Sequence, residues 1–406
     1  MARPAFQVAE IFRRHGEAYR EANAGHLDRS QRRVMGAIEA CRTAALGGHV
    51  WRCSACGHKE IAYSSCRDRH CPTCQGAAAR EWLEARKADL LPVEYFHVVF
   101  TLPPAIAAIA YQNKAVVYGI LFEAAAETLK TIAGDPKHLG AEIGFTAVLH
   151  TWGQTLTHHP HVHCIVPGGG FSPDGTNWIR CRPGYFLPER VLSSLFRRLL
   201  LEKLRAAYDD KRLNFFSDLA PLAEKSAFWA YLAPLWQIDW VVDSKPPFAG
   251  PEQVLRYLSR YTHRVAISDH RLVEVTDDHV TFTWKDYRDG SRIKHMTLEP
   301  EEFIRRFLLH VLPDGFQRIR HYGFLANGNR ATKLARIRQL LPPTPQQQVA
   351  PATQNADTAA IETECAAAPT TDVEWRPTCP ECGGEMEIVE RLPKAPRHSA
   401  PRIDTS

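Results

Sequence analysis

Two Cys-x-x-Cys pairs, Cys53-Ser-Ala-Cys56 and Cys71-Pro-Thr-Cys74, stand 14 residues apart in the first fifth of the chain. Each such turn aims two thiolates at one point, and this spacing is close to that of a tetrahedral four-cysteine zinc site. A segment so built folds around a structural metal, with no ligand position left for a substrate. Cys66, His58 and His70 lie between the pairs and can replace one of the four ligands or build a second site. A further Cys379-Pro-Glu-Cys382 has no second pair after it and reads as half a site at most.

The 11 cysteines do not read as a disulfide framework, because seven of them sit in these pairs or directly between two of them. The first 23 residues carry scattered charges and lack the apolar centre of a secretory signal, and no stretch approaches the roughly 20 apolar residues that span a bilayer. A cytoplasmic protein with no membrane partner is expected. With 406 residues, 45% hydrophobic and 23% charged, the chain can form two or three folded units. The net charge of +5 is compatible with a polyanionic partner, and the basic residues gather, for example at Arg305, Arg306, Arg318, Arg320, Arg330, Lys333, Arg336 and Arg338. Any one of these also reads as ordinary solvated surface.

Apolar spacing through Val8, Ile11 and Phe12, and again through Val34, Ile38 and Cys41, predicts helices over residues 1 to about 50. A helix before Pro92 is followed by a strand from Tyr95, closed by Pro103 and Pro104, then an alanine-rich helix over 105–133. Strands are expected at 145–150, 161–166, 236–242, 271–276 and 279–285, with helices at 188–210 and 251–264. The mixed order predicts an α+β protein with an antiparallel sheet. From Pro342 to about residue 370 the chain is rich in Pro, Gln, Ala and Thr and reads as disordered.

Five histidines fall within the 14 residues from His150 to His163. On a strand, residues i and i+2 share a face, so His161 and His163 can offer two imidazoles to one ion while Val162 enters the core. His150, on the preceding strand, supplies a third ligand if the two strands pair. Three neutral ligands leave a divalent ion its charge and open positions, which suits polarising a phosphate oxygen. Mg²⁺ favours oxygen ligands, so Mn²⁺ would bind such a set more tightly.

Later comes Tyr257-Leu-Ser-Arg-Tyr261-Thr-His-Arg264. A spacing of four puts both phenols on one helix face, where Arg256, Arg260, His263 and Arg264 can hold phosphates and favour a phenolate. Attack by tyrosine on phosphorus would conserve the bond energy of a cut DNA strand for rejoining. The same spacing, with Val254 and Leu258, also fits a plain core stripe.

Taken together, Arg69-His-Cys-Pro-Thr-Cys74, His159-Pro-His-Val-His163, Tyr257-Leu-Ser-Arg-Tyr-Thr-His-Arg-Val-Ala-Ile267 and Phe303-Ile-Arg-Arg-Phe-Leu-Leu-His-Val-Leu-Pro313, running on to Arg320-His-Tyr-Gly323, resemble the double-tyrosine HUH transposases of rolling-circle insertion sequences. The resemblance covers about residues 10 to 335. It implies an HUH-type antiparallel sheet flanked by helices and preceded by a helical zinc-binding domain. Residues 1–92 would form that domain, 93–341 the catalytic domain, and 342–406 a disordered tail with a lone CxxC. Cys53, Cys56, Cys71 and Cys74 would hold structural Zn²⁺, and the zinc unit would help recognise the element's ends. His161, His163 and His150 would hold a catalytic Mg²⁺ or Mn²⁺, with Gln154 competing with His150 as third ligand. One of Tyr257 or Tyr261 would attack the scissile phosphate, leaving a 5′-phosphotyrosine and a free 3′-OH, and the other would permit a second cleavage. Arg256, Arg260 and Arg264 would contact DNA.

The implied partners are single-stranded DNA at element ends, target DNA and host replication machinery. A replication initiator or relaxase shares the metal and tyrosine chemistry, although the zinc knot and the paired tyrosines favour a transposase. A non-catalytic zinc-binding DNA-binding protein is the reading from another class, and it forms no covalent DNA adduct.

Overall fold

The computed structural model describes residues 4–245, 253–254, 265–287, 289–328, 330–341 and 377–395. Two amphipathic helices open it, α1 (Val8–Ala22) and α2 (Arg29–Ala40), the second started by a capping box between Asp28 and Gln31. A hairpin of β1 (Gly48–Cys53) and β2 (Lys59–Tyr63) follows, so the helical run ends earlier than the apolar spacing suggested. Helix α3 (Pro72–Lys87) leads to β3 (Tyr95–Thr101). The alanine-rich stretch is two helices, α4 (Pro104–Gln112) and α5 (Lys114–Gly134). They break at Asn113, whose side chain accepts from the Asn214 N–H and donates to the Ile109 and Asn214 carbonyls.

The chain continues through β4 (Phe145–Trp152), β5 (His158–Pro167), the small β6–β7 hairpin (Gly169–Phe171, Trp178–Arg180), α6 (Glu189–Asp209) and α7 (Lys225–Leu232). The strand expected at 236–242 begins only at Val242, as β8 (Val242–Lys245), because Pro234 holds the preceding residues in a short 3₁₀ turn. Next come β9 (Leu272–Val275), β10 (Val280–Asp286), β11 (Arg292–Leu298), α8 (Pro300–Leu309), β12 (Ile319–Tyr322), α9 (Arg330–Leu340) and β13 (Met386–Leu392).

The central sheet is antiparallel with strand order β12-β4-β5-β3-β8. One face, through Phe96, Val98, Phe100, Ala147, Leu149, Val162, Cys164 and Val166, packs with α4, α5 and α6 into the largest core. A second core joins α1 and α2 to β9–β10 and α8, with Phe12 edge-on to Phe307 at 5.3 Å. The Val8 N–H also donates to Asp269 Oδ1 at 2.9 Å. The packing therefore does not divide at residue 92: the first helices belong with residues 265–311.

Within the stretch expected as a disordered tail, residues 377–395 are folded. β13 adds to β1 antiparallel, completing the sheet β13-β1-β2. No helix among the described residues is long and apolar enough to cross a membrane.

Candidate active site

The face of the central sheet turned away from α4, α5 and α6 carries the histidines. His150 on β4 stands directly opposite His161 on β5, and Val148 opposite His163. The pleat sends these four side chains to the same side, and candidate ligand atoms of His150, His161 and His163 lie within 4.8 Å of one another. His150 and His163 are buried and His161 half-buried, so the cluster opens to solvent on the His161 side.

Hydrogen bonds orient the rings. His161 Nδ1 lies 2.6 Å from the carbonyl of His159 and donates to it, which leaves Nε2 as the lone-pair nitrogen. His97, on β3, holds its Nε2 2.6 Å from Nδ1 of His163. Burial pushes His161 down to about 4 and holds His163 well below the ordinary imidazole range, with the neighbouring histidines acting in the same direction. Both rings are therefore neutral near pH 7, the form that ligates metal. The donor set fits a divalent transition-type ion better than one that requires oxygen ligands. Gln154, the competitor for third ligand, instead turns its amide toward Lys285 and Tyr287.

The β4–β5 turn is gripped from the second core. Leu156 is fully buried there despite a left-handed φ of 62°. Arg271 donates to the Gln154 carbonyl, Arg306 to that of Thr155, and His310 Nε2 to that of Leu156. Three side chains, Arg271 just before β9, Arg306 on α8 and His310 at its carboxyl end, thus set the loop that carries His150 and His161 into register. Sequence reading assigned no role to His97 or to His310, although the second lies in the Phe303–Pro313 stretch. Period-two arithmetic on the strand from Tyr95 finds the first, and nothing local finds the second.

Tyr257 and Tyr261, with Arg256, Arg260, His263 and Arg264, lie outside the described residues. Gln253 and Val254, just before them, are helical, and Val254 is buried against Tyr95, Val148 and Ile165. This contact is on the histidine face, since Val148 is the register partner of His163.

The cysteines correct the expected ligand set. Cys53, Cys56, Cys71 and Cys74 do not form one site, because the β1–β2 hairpin carries the first pair away from the start of α3, where the second pair sits. Cys71 and Cys74 group with Cys41 and Cys66, while Cys53 and Cys56 group with Cys379 and Cys382. Cys74 Sγ is 3.5 Å from that of Cys41 and 3.6 Å from that of Cys66. His70 is occupied elsewhere, its Nδ1 bonded to Asp68 and its Nε2 accepting from the Leu312 N–H. The carboxyl-terminal pair is thus half of a complete four-thiol set.

Several of the basic residues noted in the sequence have partners within the protein. Arg305 and Arg306 pair with Glu302, Arg320 lies over Phe122 and Phe316, and Arg330 meets Asp89.

A histidine cluster on an antiparallel sheet, joined to a cysteine-rich helical unit, is the arrangement expected from the resemblance to the HUH class. Residues 144–333 match the family model described as "Putative transposase", and residues 11–102 match the "Transposase zinc-binding domain". The chain is 67% identical over 354 residues to "Putative transposase y4qJ" of Sinorhizobium fredii, covering 86% of this chain and 89% of that one. It is 28% identical over 320 residues to "Transposase for insertion sequence element IS801" of Pseudomonas savastanoi pv. phaseolicola, covering 77% and 75%. No solved structure gives a significant match. The chain belongs to the double-tyrosine HUH transposases of the IS91 family, and its amino-terminal unit is a zinc-binding domain.

Proposed function

We propose that this transposase nicks and joins single-stranded DNA at insertion-sequence ends during rolling-circle transposition in the cytoplasm, through a tyrosine covalently bound to DNA. The observation that carries the reading is the three-imidazole cluster: His150 and His161 face each other across one strand pair, with His163 alongside. His161, His163 and His150 would hold Mn²⁺, or more weakly Mg²⁺. Such an ion, when bound, supplies polarisation of a non-bridging phosphate oxygen.

The phenolate of Tyr257 or Tyr261 would attack phosphorus, forming the tyrosine O–P bond as the bond to the 3′-oxygen breaks. That oxygen takes up a proton and leaves as a free 3′-OH, and the 5′-phosphate stays on the tyrosine. Arg256, Arg260 and Arg264 would bind the backbone phosphates on either side. The second tyrosine would make the second cut, exchanging donor for target strand as host replication displaces the element. The group of Cys41, Cys66, Cys71 and Cys74 lies wholly inside the zinc-binding family match and would hold its structural Zn²⁺. That domain would engage the element's ends.

The test is incubation of the purified protein with labelled single-stranded DNA carrying an element end, with Mn²⁺ or chelator, followed by a denaturing gel. A metal-dependent adduct, lost in the Tyr257→Phe, Tyr261→Phe double variant, is expected. Sequence-specific binding with no adduct would leave a DNA-binding protein without this chemistry.

A further inference from the structure

Cys53 ends β1 and Cys56 lies in the turn that leads to β2, while Cys379 and Cys382 flank the turn before β13. The two turns repeat one local sequence, Cys53-Ser-Ala-Cys56-Gly57 and Cys379-Pro-Glu-Cys382-Gly383. They also repeat one backbone geometry. The Gly57 N–H donates to the Cys53 carbonyl and the Gly383 N–H to that of Cys379. Both glycines are left-handed, with φ of 77° and 73°. Cys53 N–H donates to the carbonyl five residues on, at His58, and Cys379 N–H does the same at Gly384. Such turns present both thiolates of a CxxC pair on one side.

The two turns face each other. Sγ of Cys53 is 3.5 Å from that of Cys382, and Sγ of Cys56 is 3.6 Å from that of Cys379. Bonds of about 2.3 Å from zinc to four tetrahedral sulfurs require edges of about 3.8 Å. A disulfide would need about 2.05 Å, which neither pair approaches. The backbone leaves room for the sulfurs: a Cβ at Gly384 would lie 3.1 Å from Cys53 Sγ and 3.3 Å from Cys382 Sγ. The Ser54 N–H donates to the Glu385 carbonyl, tying one turn to the other.

We propose that Cys53, Cys56, Cys379 and Cys382 bind a second structural Zn²⁺, forming a zinc ribbon whose halves lie on either side of the strand-transfer domain. The family's zinc-binding match ends at residue 102, so only half of this ligand set falls inside it. The ion's role is to fasten β13 to β1 and close the small sheet. The ribbon's own apolar contacts, Cys53, Cys379, Met386 and Trp51, are few, as expected where metal replaces a core.

Zinc content of the whole protein, measured by mass spectrometry of the metal, tests this. The Cys379→Ser, Cys382→Ser variant should hold one zinc per chain less than wild type, and Cys53→Ser, Cys56→Ser should lose the same one. The variant with all four changes should lose no more than either pair alone. Cys382→His, which keeps a ligand, should restore the ion. Hydrogen-exchange protection of residues 386–392 should fall in Cys53→Ser, Cys56→Ser, where the substituted positions lie more than 320 residues away in sequence. Unchanged zinc content in Cys379→Ser, Cys382→Ser, or loss of two ions when all four are changed, would overturn the proposal.

Discussion

Nε2 of His97 lies 2.6 Å from Nδ1 of His163, the two rings stacked nearly parallel between adjacent strands. With Nδ1–H of His163 donating and His97 accepting, the lone pair of His163 sits on Nε2, the nitrogen left for an ion. His97 is kept neutral, pushed down to about 3 by burial, so its Nε2 can accept when its proton sits on Nδ1. Partners of this kind set the tautomer and direction of a ligating imidazole.

Substituting His97→Phe should therefore weaken Mn²⁺ binding by about 10- to 100-fold without changing the zinc content. Titration calorimetry with Mn²⁺ reads the first quantity and metal analysis the second. An unaltered Mn²⁺ affinity would mean that His97 does not orient His163.

Acid should destabilise the fold in a defined window. Burial pushes His310 and His158 down to about 3, whereas an imidazole in the unfolded chain titrates near about 6.5. Between those values the unfolded chain binds the additional protons. Stability is thus complete above about pH 6.5 and is lost as the pH falls toward 3, by at most about 1.4 kcal/mol per pH unit for each histidine. The urea midpoint should drop from pH 6.5 to pH 5, and His310→Gln should flatten that drop relative to wild type at equal metal loading.

Phe12 and Phe307 join α1 to α8 inside the second core, both fully buried. Phe12→Ala should cost about 3 to 5 kcal/mol in urea unfolding. A double-mutant cycle with Phe307→Ala should return a coupling of about 0.5 to 1.5 kcal/mol, because the amino-terminal helices are packed on that unit and not merely tethered to it.

Gly323 follows β12 at a φ of 58°, and a Cβ there would collide with the carbonyl oxygen of Ile143. Gly323→Ala should destabilise the protein by at least about 1 to 2 kcal/mol, the cost of the left-handed backbone alone. Since β12 is the edge partner of β4, thermal unfolding should show a lowered midpoint, and Mn²⁺ affinity should fall with it.

The sequence carried the histidine centre clearly because strand geometry is local arithmetic: residues two apart share a face, and a short turn brings His150 opposite His161. It carried the zinc sites less well. Cys41 sits in an apolar stripe and looks like a core residue, and only the three-dimensional approach of α2 to α3 makes it a neighbour of Cys74. The 14-residue spacing of the two nearer CxxC pairs imitates a single site, while the real partner of Cys53 is 329 residues away. Pairing over that distance leaves no local signal beyond the repeated Cys-x-x-Cys-Gly. The break at Asn113 was equally hidden, since its cause is a hydrogen bond to Asn214, 101 residues on.

The pairing of β13 with β1 has a consequence for synthesis. Ser54 and its partner Glu385 are 331 residues apart, so at roughly 5 to 20 residues per second the β1–β2 hairpin waits on the order of 20 to 60 s for its third strand. During that interval β1 has an open edge, and any product cut short before Met386 keeps it open. Everything from α3 to α9 is, topologically, an insert within a three-stranded ribbon, and only translation past β13 gives that ribbon its final strand.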